Sequence, residues 1–282
     1  MTERMPTPVL DHAVMNVADG LDEARARYRR LGFQLTPRGH HSLGSSNHLA
    51  VFGENYLELL GYEAGRGDQR QDIWQAPRGL TGLVWKTADA DATFRHLQQR
   101  DIAGEAPAAF FRPVTLPDGC VSEARFRTVR LRPSLIPNGR SFFCQHLTPQ
   151  AVWQPAWQRH PNGVVNISEF TLVAQDPDAA AGVYRQLFGA RRVLAAEEGT
   201  FILPAGAARV RFAPVEWAQR RFGALPQDDN GLARMVALSF RTDAIAKVDA
   251  SLAAGDIPCE KAGETRVVSA EQGGRLALLF HP

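Results

Sequence analysis

The stretch VLDHAVMNVADGLDEARARYRRLGF, residues 9–33, joins a strand pattern directly to a helix pattern. Apolar residues dominate as far as the Ala-Asp pair that ends at Asp19, and later apolar positions recur with the period of a helix. The positions that share this helical face are Ala24, Tyr28 and Leu31. Asp19 is predicted to cap the helix, because its side-chain oxygen can accept an amide hydrogen of the first turn. Gly32 is predicted to end the helix.

The same order of strand, aspartate and helix returns in residues 79–102, 166–190 and 232–257. The predicted capping residues of these copies are Asp89, Asp176 and Asp243. Short strand-like runs separated by turns follow each copy, and residues 104–122 of the second copy are predicted to form a loop. The sequence therefore predicts a βαβββ module repeated four times.

A single module leaves one face of its sheet uncovered and is not expected to be stable alone. The prediction is an α+β fold in which four βαβββ modules form two domains with cupped mixed sheets. Residues 7–150 make the first domain, residues 164–282 the second, and residues 151–163 a proline-containing linker. Trp153 and Trp157 predict that this linker packs against the domains.

The composition limits the classes of partner and compartment. The chain has 32 basic and 30 acidic residues with a net charge of +2, which argues against nucleic acid or an anionic membrane as the main partner. No apolar run has the length of a signal peptide or a membrane span. The three cysteines are Cys120, Cys144 and Cys259. Their wide spacing favours a reducing compartment, so the expectation is a cytoplasmic protein that acts on a small molecule, with a homodimer as one option for its assembly.

One carboxylate interrupts an apolar strand. In SSNHLAVFGENYLELLGY, residues 45–62, Glu58 lies between two leucines of the predicted fourth strand. Side chains alternate between faces of a strand, so Glu58 shares a face with Tyr56, and His12 lies on one face of the first strand. If both faces line the cup, a bound metal can compensate the buried carboxylate. An arginine partner, or a position on an exposed edge, would explain Glu58 equally well.

The module plan, together with His12 on the first strand and Glu58 on the fourth, resembles the vicinal oxygen chelate superfamily. The segments LDHAVMNVAD, SSNHLAVFGENYLELL, SFFCQHLTP and WQRHPNG are similar to its glyoxalase-like branch over residues 9 to about 185. The resemblance implies two glyoxalase-like domains. It also implies one divalent metal ion, of Zn, Fe, Mn, Ni or Co, held by His, Glu or Gln on the first and last strands of paired modules.

The resemblance implies His12, Glu58 and His146 as metal ligands. Gly82 stands where the second module would repeat His12, which departs from the full pattern. Either Gln145 or His146 lies near the position that matches Glu58, and only one of the two can face the cup. The alternative to a metal ligand is that His146 ends an edge strand and contacts water.

Further residues are candidates for contacts with a substrate. Asn47, Tyr56, Phe143 and Gln145 are predicted to bind it, and Glu58 or His48 to act as the base that moves a proton. Turn chemistry explains Asn47 and His48 as well. His40 and His41 are interpreted as residues of a solvated loop.

The second half differs, because Glu169 takes the place of His12 and Arg211 falls near the place of Glu58. This pair predicts a salt bridge and no metal, so modules three and four would serve packing or dimerisation. The leading function is a metal-dependent lyase, isomerase or dioxygenase for a small oxygenated substrate. The alternatives are a small-molecule binding protein that uses the same cup and a scaffold without a ligand.

Overall fold

The computed structural model describes residues 6–226 and 230–282, which include two sheets of eight strands each. The strands of the first sheet are β1 (Leu10–Ala18), β2 (Gly39–His40), β3 (Ser46–Val51), β4 (Tyr56–Gly61), β5 (Gly79–Lys86), β6 (Ala108–Thr115), β7 (Val121–Arg130) and β8 (Arg140–His146). The strands of the second are β9 (Val164–Val173), β10 (Leu194–Ala195), β11 (Phe201–Ala205), β12 (Ala208–Ala213), β13 (Arg234–Thr242), β14 (Glu260–Ala262), β15 (Thr265–Val268) and β16 (Ala277–His281). The helices are α1 (Leu21–Arg30), α2 (Gln71–Trp74), α3 (Ala90–Gln98), α4 (Pro177–Phe188), α5 (Val215–Phe222) and α6 (Ile245–Ala254).

The two sheets have the same strand order. The first runs β2-β3-β4-β1-β5-β8-β7-β6 and the second β10-β11-β12-β9-β13-β16-β15-β14. In the first sheet β1 is parallel to β4 and antiparallel to β5, and β5 is parallel to β8. Each half-sheet is therefore one module, and the opening strands of two modules meet at the centre. This arrangement confirms the predicted α+β fold of four βαβββ modules.

The predicted loop over residues 104–122 is wrong in part, because it contains β6. This strand pairs with β7 from Ala108 to Thr115. It lies at the edge of the sheet, where a proline such as Pro113 is tolerated because one side of the strand needs no ladder hydrogen bonds. Arg112 of β6 is 2% exposed, so this strand, which was not predicted from the sequence, contributes a buried charge.

Two of the four predicted helix caps form. Asp89 accepts a hydrogen bond from the backbone N–H of Ala92 at 2.9 Å, and Asp176 accepts one from Ala179 at 3.0 Å. Each cap satisfies an amide of the first turn that has no partner within the helix. These aspartates begin α3 and α4.

Asp19 and Asp243 do not cap α1 and α6, so this part of the prediction is wrong. Each helix begins one residue later than predicted, which moves the carboxylate out of reach of the first-turn amides. The carboxylates instead form ion pairs, Asp19 with Arg78 at 2.5 Å and Asp243 with Lys247 at 2.7 Å.

The core lies between the helix-bearing sides of both halves of the chain. The rings of Phe33 and Phe240 are 5.2 Å apart between centroids, and those of Trp85 and Phe188 are 4.7 Å apart. Trp157 of the predicted linker is buried, as expected for a segment that packs. The two sheets thus share one apolar core and leave their other faces free to form cups. No helix in residues 6–226 and 230–282 is both long and apolar enough to cross a membrane.

Candidate functional site

The first cup is the face of the first sheet that points away from the shared core. It holds a cavity whose walls come from both modules. Its polar lining includes His12, His41, Asn47, Tyr56 and Glu58. The prediction that His12 and Glu58 face the same side of the sheet therefore matches the geometry.

A β-bulge in β1 turns two consecutive residues toward the first cup. Leu10 pairs with Trp85 and His12 pairs with Val84, so β1 advances by two residues where β5 advances by one. Leu10 and Ala13 both pack in the shared core, which leaves Asp11 and His12 together on the other side. A bulge inserts one residue and interrupts the alternation of faces. The sequence analysis missed Asp11 because it assumed strict alternation.

Asp11 fixes the orientation of His12. Its Oδ1 lies 2.6 Å from Nδ1 of His12, and the ring of Tyr56 stacks on the imidazole with centroids 4.2 Å apart. Burial opposes the ionisation of Asp11, but the nearby His146 and His12 outweigh it and hold the pKa of this carboxyl well below its usual range. A carboxylate at Nδ1 favours the tautomer in which that nitrogen carries the hydrogen. Nε2 of His12 is then the nitrogen with a lone pair.

Glu58 lies opposite Nε2 of His12. Its Oε2 is 3.7 Å from that nitrogen, too far for a direct hydrogen bond. Its Oε1 accepts a hydrogen bond of 2.7 Å from the amide of Asn47 and lies 3.8 Å from Nε2 of His41. Burial raises the pKa of Glu58, but His41, His12 and Asn47 more than offset it, so the pKa is lowered. An amide and imidazoles thus compensate the carboxylate that interrupts the apolar strand.

His41 belongs to the site, although the sequence analysis placed it in a solvated loop. Only 8% of its side chain is exposed, and its Nδ1 lies 2.8 Å from Oγ of Ser45. Burial lowers its pKa to about 4 against the opposing effect of Glu58, so the ring is neutral at pH 7. The sequence signal for this position is Gly44, which forms a tight turn after His41. The turn reverses the chain so that Gly39 pairs with Asn47, and His41 then lies over the cup.

Three predicted site residues lie on the wrong side of the sheet. His48 points away from the cup and its Nδ1 lies 2.8 Å from the carbonyl of Thr36. Phe143 is fully buried in the shared core. Gln145 bonds the backbone at the start of α3, through Ala90 N–H and the Ala88 carbonyl. Strand alternation explains all three positions, because Asn47, Cys144 and His146 take the cup-facing places beside them. A substrate in the cavity cannot contact these three side chains.

His146 faces the cup but does not complete a site with His12 and Glu58. Its Nε2 lies 3.0 Å from Oδ1 of Asp11, the same oxygen that holds His12. Among the described residues, only Asp11, Cys144 and His146 bring three donors of metal-binding type within 4.8 Å of one another. Cys144 is buried beside Asp11 and His146, and burial raises the pKa of its thiol well above its ordinary value.

The second module lacks the donors that a metal centre of the usual kind needs. In the two parallel strand pairs, His12 stands beside Tyr56 and Gly82 beside Arg140, so Phe142 occupies the position equivalent to Glu58. A side chain at Gly82 has no room, because its Cβ would lie 2.5 Å from Cβ of Val14. The predicted set of His12, Glu58 and His146 is therefore corrected. The residues present do not fit the shared four-ligand metal site that the superfamily resemblance implies.

The fold has counterparts among solved structures. A hypothetical protein from Staphylococcus aureus matches with a TM-score of 0.67 and 13% identity, over 97% of this chain and 98% of that chain. A mutant of 4-hydroxymandelate synthase from Streptomyces coelicolor matches with a TM-score of 0.58 and 13% identity, over 98% and 92%. A fusion of a xylose isomerase-like TIM barrel with a 4-hydroxyphenylpyruvate dioxygenase matches with a TM-score of 0.54 and 11% identity, over 98% of this chain and 48% of the fusion. At these identities the likeness shows the fold alone.

The sequence comparisons give the family. No curated protein matches the chain. The model of the glyoxalase-like domain matches residues 10–188, which include both modules of the first cup, the linker and the first strand and helix of the third module. The chain therefore belongs to the glyoxalase-like domain family.

Proposed function

We propose that this chain is an enzyme of the isomerase or lyase type, which moves a proton on a small oxygenated substrate bound in the first cup. The observation that carries the proposal is the state of His12. Asp11 holds one ring nitrogen at 2.6 Å, while the other nitrogen faces the cavity and has no hydrogen-bond partner among the described residues. An imidazole with one nitrogen held by a carboxylate and the other directed into the cavity has the orientation that a general base needs.

His12 and Asp11 would act as a pair in the proton transfer. Nε2 takes a proton from a carbon next to the carbonyl group of the substrate, and the ring becomes positively charged. Asp11 stabilises that charge through Nδ1–H, because a carboxylate in contact with an imidazole favours its protonated form. Tyr56 keeps the ring plane fixed by stacking on it. Removal of either partner should therefore slow proton transfer more than it weakens substrate binding.

Glu58 would supply a second proton-transfer group beside His12, with its Oε2 3.7 Å from Nε2 of the imidazole. Its Oε2 accepts no hydrogen bond from the described residues, whereas Oε1 is held by Asn47. A carboxylate and an imidazole that line the same wall of the cavity can both exchange protons with one bound substrate. Asn47 keeps the carboxylate in place and is a positioning residue.

The divalent metal of the superfamily enters no step of this proposal, because the second module offers Gly82 and Phe142 where ligands would be required. Metal analysis of protein purified without a chelator tests this point. We expect far less than one divalent ion per chain, and activity that withstands treatment with EDTA. One tightly bound ion per chain that is lost in both His12→Gln and Glu58→Gln would overturn the proposal and restore the metal-dependent interpretation.

Exchange of carbon-bound hydrogen for deuterium tests the proton transfer directly. Small ketones and 2-oxo acids are incubated with the protein in D₂O, and the loss of the hydrogens beside the carbonyl is followed by NMR. We expect exchange in at least one compound, slowed about a hundredfold or more by His12→Gln. His281→Gln, at the far end of the second sheet, is the matched control and should leave the rate unchanged. Exchange that persists in His12→Gln would contradict the role of His12.

The second candidate is a binding protein without catalysis. It is favoured by the stacked rings of Phe110 and Phe126, whose centroids lie 5.1 Å apart in the cavity wall. Such a wall suits an apolar ligand whether or not chemistry follows. Saturable ligand binding without any hydrogen exchange would select this candidate over the enzyme.

A further inference from the structure

The cavity of the first cup has an uneven charge. Four arginine side chains line it, and Glu58 is the one carboxylate among the described lining residues. The arginines are Arg70, Arg112, Arg130 and Arg140. An enclosed space with this excess of positive charge attracts anions, because low-dielectric walls concentrate the field.

Two of the four guanidinium groups are compensated within the chain. Arg70 and Arg130 both bind the carboxylate of Asp72, at 3.1 Å and 3.3 Å. These two arginines therefore form the rim of the cavity and are not free to bind a ligand at full strength.

Arg112 is the group that lacks compensation. Only 2% of the residue is exposed, it has no carboxylate within 4.0 Å among the described residues, and its Nη2 has no hydrogen-bond partner there. A buried charge without a partner destabilises the fold, so such a group is a sign of a missing ligand. A Cβ at Gly39 would lie 3.0 Å from Cδ of Arg112, which shows that β2 packs tightly on the side chain and holds it in place.

Arg140 adds a second cation. It is half-buried, lies over the ring of Phe142 at 5.6 Å from the centroid, and has no carboxylate within 4.0 Å among the described residues. Burial, with smaller contributions from Arg130 and Arg70, lowers its pKa to about 10, so it remains charged at neutral pH. It occupies the place in the second module that Tyr56 occupies in the first. The second module, which has Gly82 and Phe142 at the positions of His12 and Glu58, thus contributes the positive charge of Arg140.

The rest of the wall is apolar and aromatic. Phe110, Phe126 and Phe142 lie in the lining with the aliphatic side chains of Leu49, Leu60 and Ile73. A ligand that satisfies both parts of the cavity has an anionic group at one end and a flat apolar body at the other.

We infer that the first cup binds a small organic anion, a carboxylate or phosphate on an aromatic or other flat apolar body, with Arg112 and Arg140 as its charge partners. This inference rests on the proposed function, since it names the substrate class of the same cavity. Guanidinium groups bind carboxylates and phosphates through paired hydrogen bonds, which explains why arginines fill these positions. The guanidinium charge would take the place that a metal ion holds in a site with a full set of ligands.

Calorimetric titration with matched probes tests the inference. Benzoate and phenyl phosphate are compared with benzamide, which has a similar shape and no charge. We expect at least one anion to bind and benzamide to bind about tenfold or more weakly, because hydrogen bonds to charged partners are the stronger ones. Equal binding of benzamide, or no binding of either anion, would overturn the inference.

Variants assign the contact. Arg112→Gln and Arg140→Gln should each weaken binding of the anion by about tenfold or more and leave binding of benzamide unchanged. The matched control is Arg125→Gln, because Arg125 lies outside the cavity on β7, pairs with Glu123 at 2.6 Å, and should not affect binding. Circular dichroism confirms that each variant folds, and the half-buried Arg140 supplies the test if Arg112→Gln does not fold. Unchanged affinity in a folded Arg112→Gln and Arg140→Gln would contradict the assignment.

The two proposals can fail separately. Anion binding that depends on arginine, without hydrogen exchange in any compound, would leave the inference standing and remove the enzyme. Exchange that depends on His12 and is confined to uncharged ketones would keep the enzyme and remove the anionic substrate. His12→Gln should retain affinity for benzoate, because the imidazole is not one of its charge partners.

Discussion

The first and second cups are built on the same strand register, but their charged residues behave in opposite ways. His12 stands beside Tyr56 and Val14 beside Glu58 in the first sheet, and Glu169 stands beside Arg209 and Thr171 beside Arg211 in the second. The positions of His12 and Glu58 are thus taken by Glu169 and Arg211. One fold presents an imidazole with a nitrogen directed into the cavity in one half and a pair of opposite charges in the other.

The second cup satisfies its own charges. We define it as the face of the second sheet that packs with α5 and carries Glu169, which is 1% exposed. Glu169 pairs with Arg211 at 3.1 Å and also with Arg209. Arg211 in turn lies over the ring of Trp217, 4.8 Å from its centroid. The predicted salt bridge between Glu169 and Arg211 therefore forms.

The largest expected difference between the cups concerns stability. Glu169→Gln removes the buried partner of Arg211 and leaves it only the exposed carboxylate of Glu197, 3.2 Å away, so it should lower the free energy of unfolding by about 2 kcal/mol or more. Glu58→Gln keeps a hydrogen-bonding side chain beside the amide of Asn47 and the imidazole of His41, and should cost about 1 kcal/mol. Urea unfolding of both variants, each a change of carboxylate to amide, measures the difference. Equal losses would mean that the first cup also depends on a charge pair and would remove the contrast.

A smaller effect on stability is expected at Gly82, which in the second module takes the position that His12 has in the first. Gly82→Ala places a methyl group 2.5 Å from Cβ of Val14 and should destabilise the fold by about 1 to 3 kcal/mol. The double variant with Val14→Gly should lose less stability than the two single variants together, because this change removes both the Cβ at 2.5 Å and the Cγ2 at 2.7 Å. Thermal unfolding of the single and double variants checks this. Additive losses would show that Val14 is not what excludes a side chain, and hence a ligand, from this position.

A further expected effect is a pH dependence that arises where the linker contacts the first module. His160 accepts a hydrogen bond from the N–H of Gln34 at Nδ1, 3.0 Å, and donates one from Nε2 to the carbonyl of Val51, 2.9 Å. Burial lowers its pKa to about 4, although the bond to Val51 opposes the shift. The unfolded chain therefore binds the proton more readily between about pH 6.5 and pH 4. Stability is complete above this range and should fall with pH within it, by up to about 1.4 kcal/mol per pH unit for one group.

His160→Gln tests that assignment. Glutamine can still form hydrogen bonds but takes up no proton, so the variant should lose less stability than the parent between pH 6.5 and pH 4. His41 and His48 are also buried with lowered pKa values, and they account for the slope that remains. An identical slope in parent and variant would show that His160 does not contribute.

Several features of this protein could be predicted because they depend on neighbours in the chain. The four modules follow from local periodicity, and the caps at Asp89 and Asp176 depend on four consecutive residues. The common face of Tyr56 and Glu58 follows from the alternation of an unbroken strand. The ion pair of Glu169 and Arg211 could be predicted because both residues lie in modules whose register repeats that of the first.

Other features required the folded chain, for a physical reason. The bulge at Asp11 arises from the pairing of β1 with β5, so no pattern within β1 alone reveals that Asp11 joins His12. β6 is stable as a strand only because β7 pairs with it, and this pairing carries Arg112 into the cup. His41 reaches Glu58 through a turn, and Phe142 replaces a ligand through the register of β5 and β8. The sequence by itself determined the modules and the residues on one strand face, since both are set by backbone geometry within a few residues. Only the tertiary structure decided which of those residues meet, because contacts between distant strands depend on register, bulges and the space that neighbours leave.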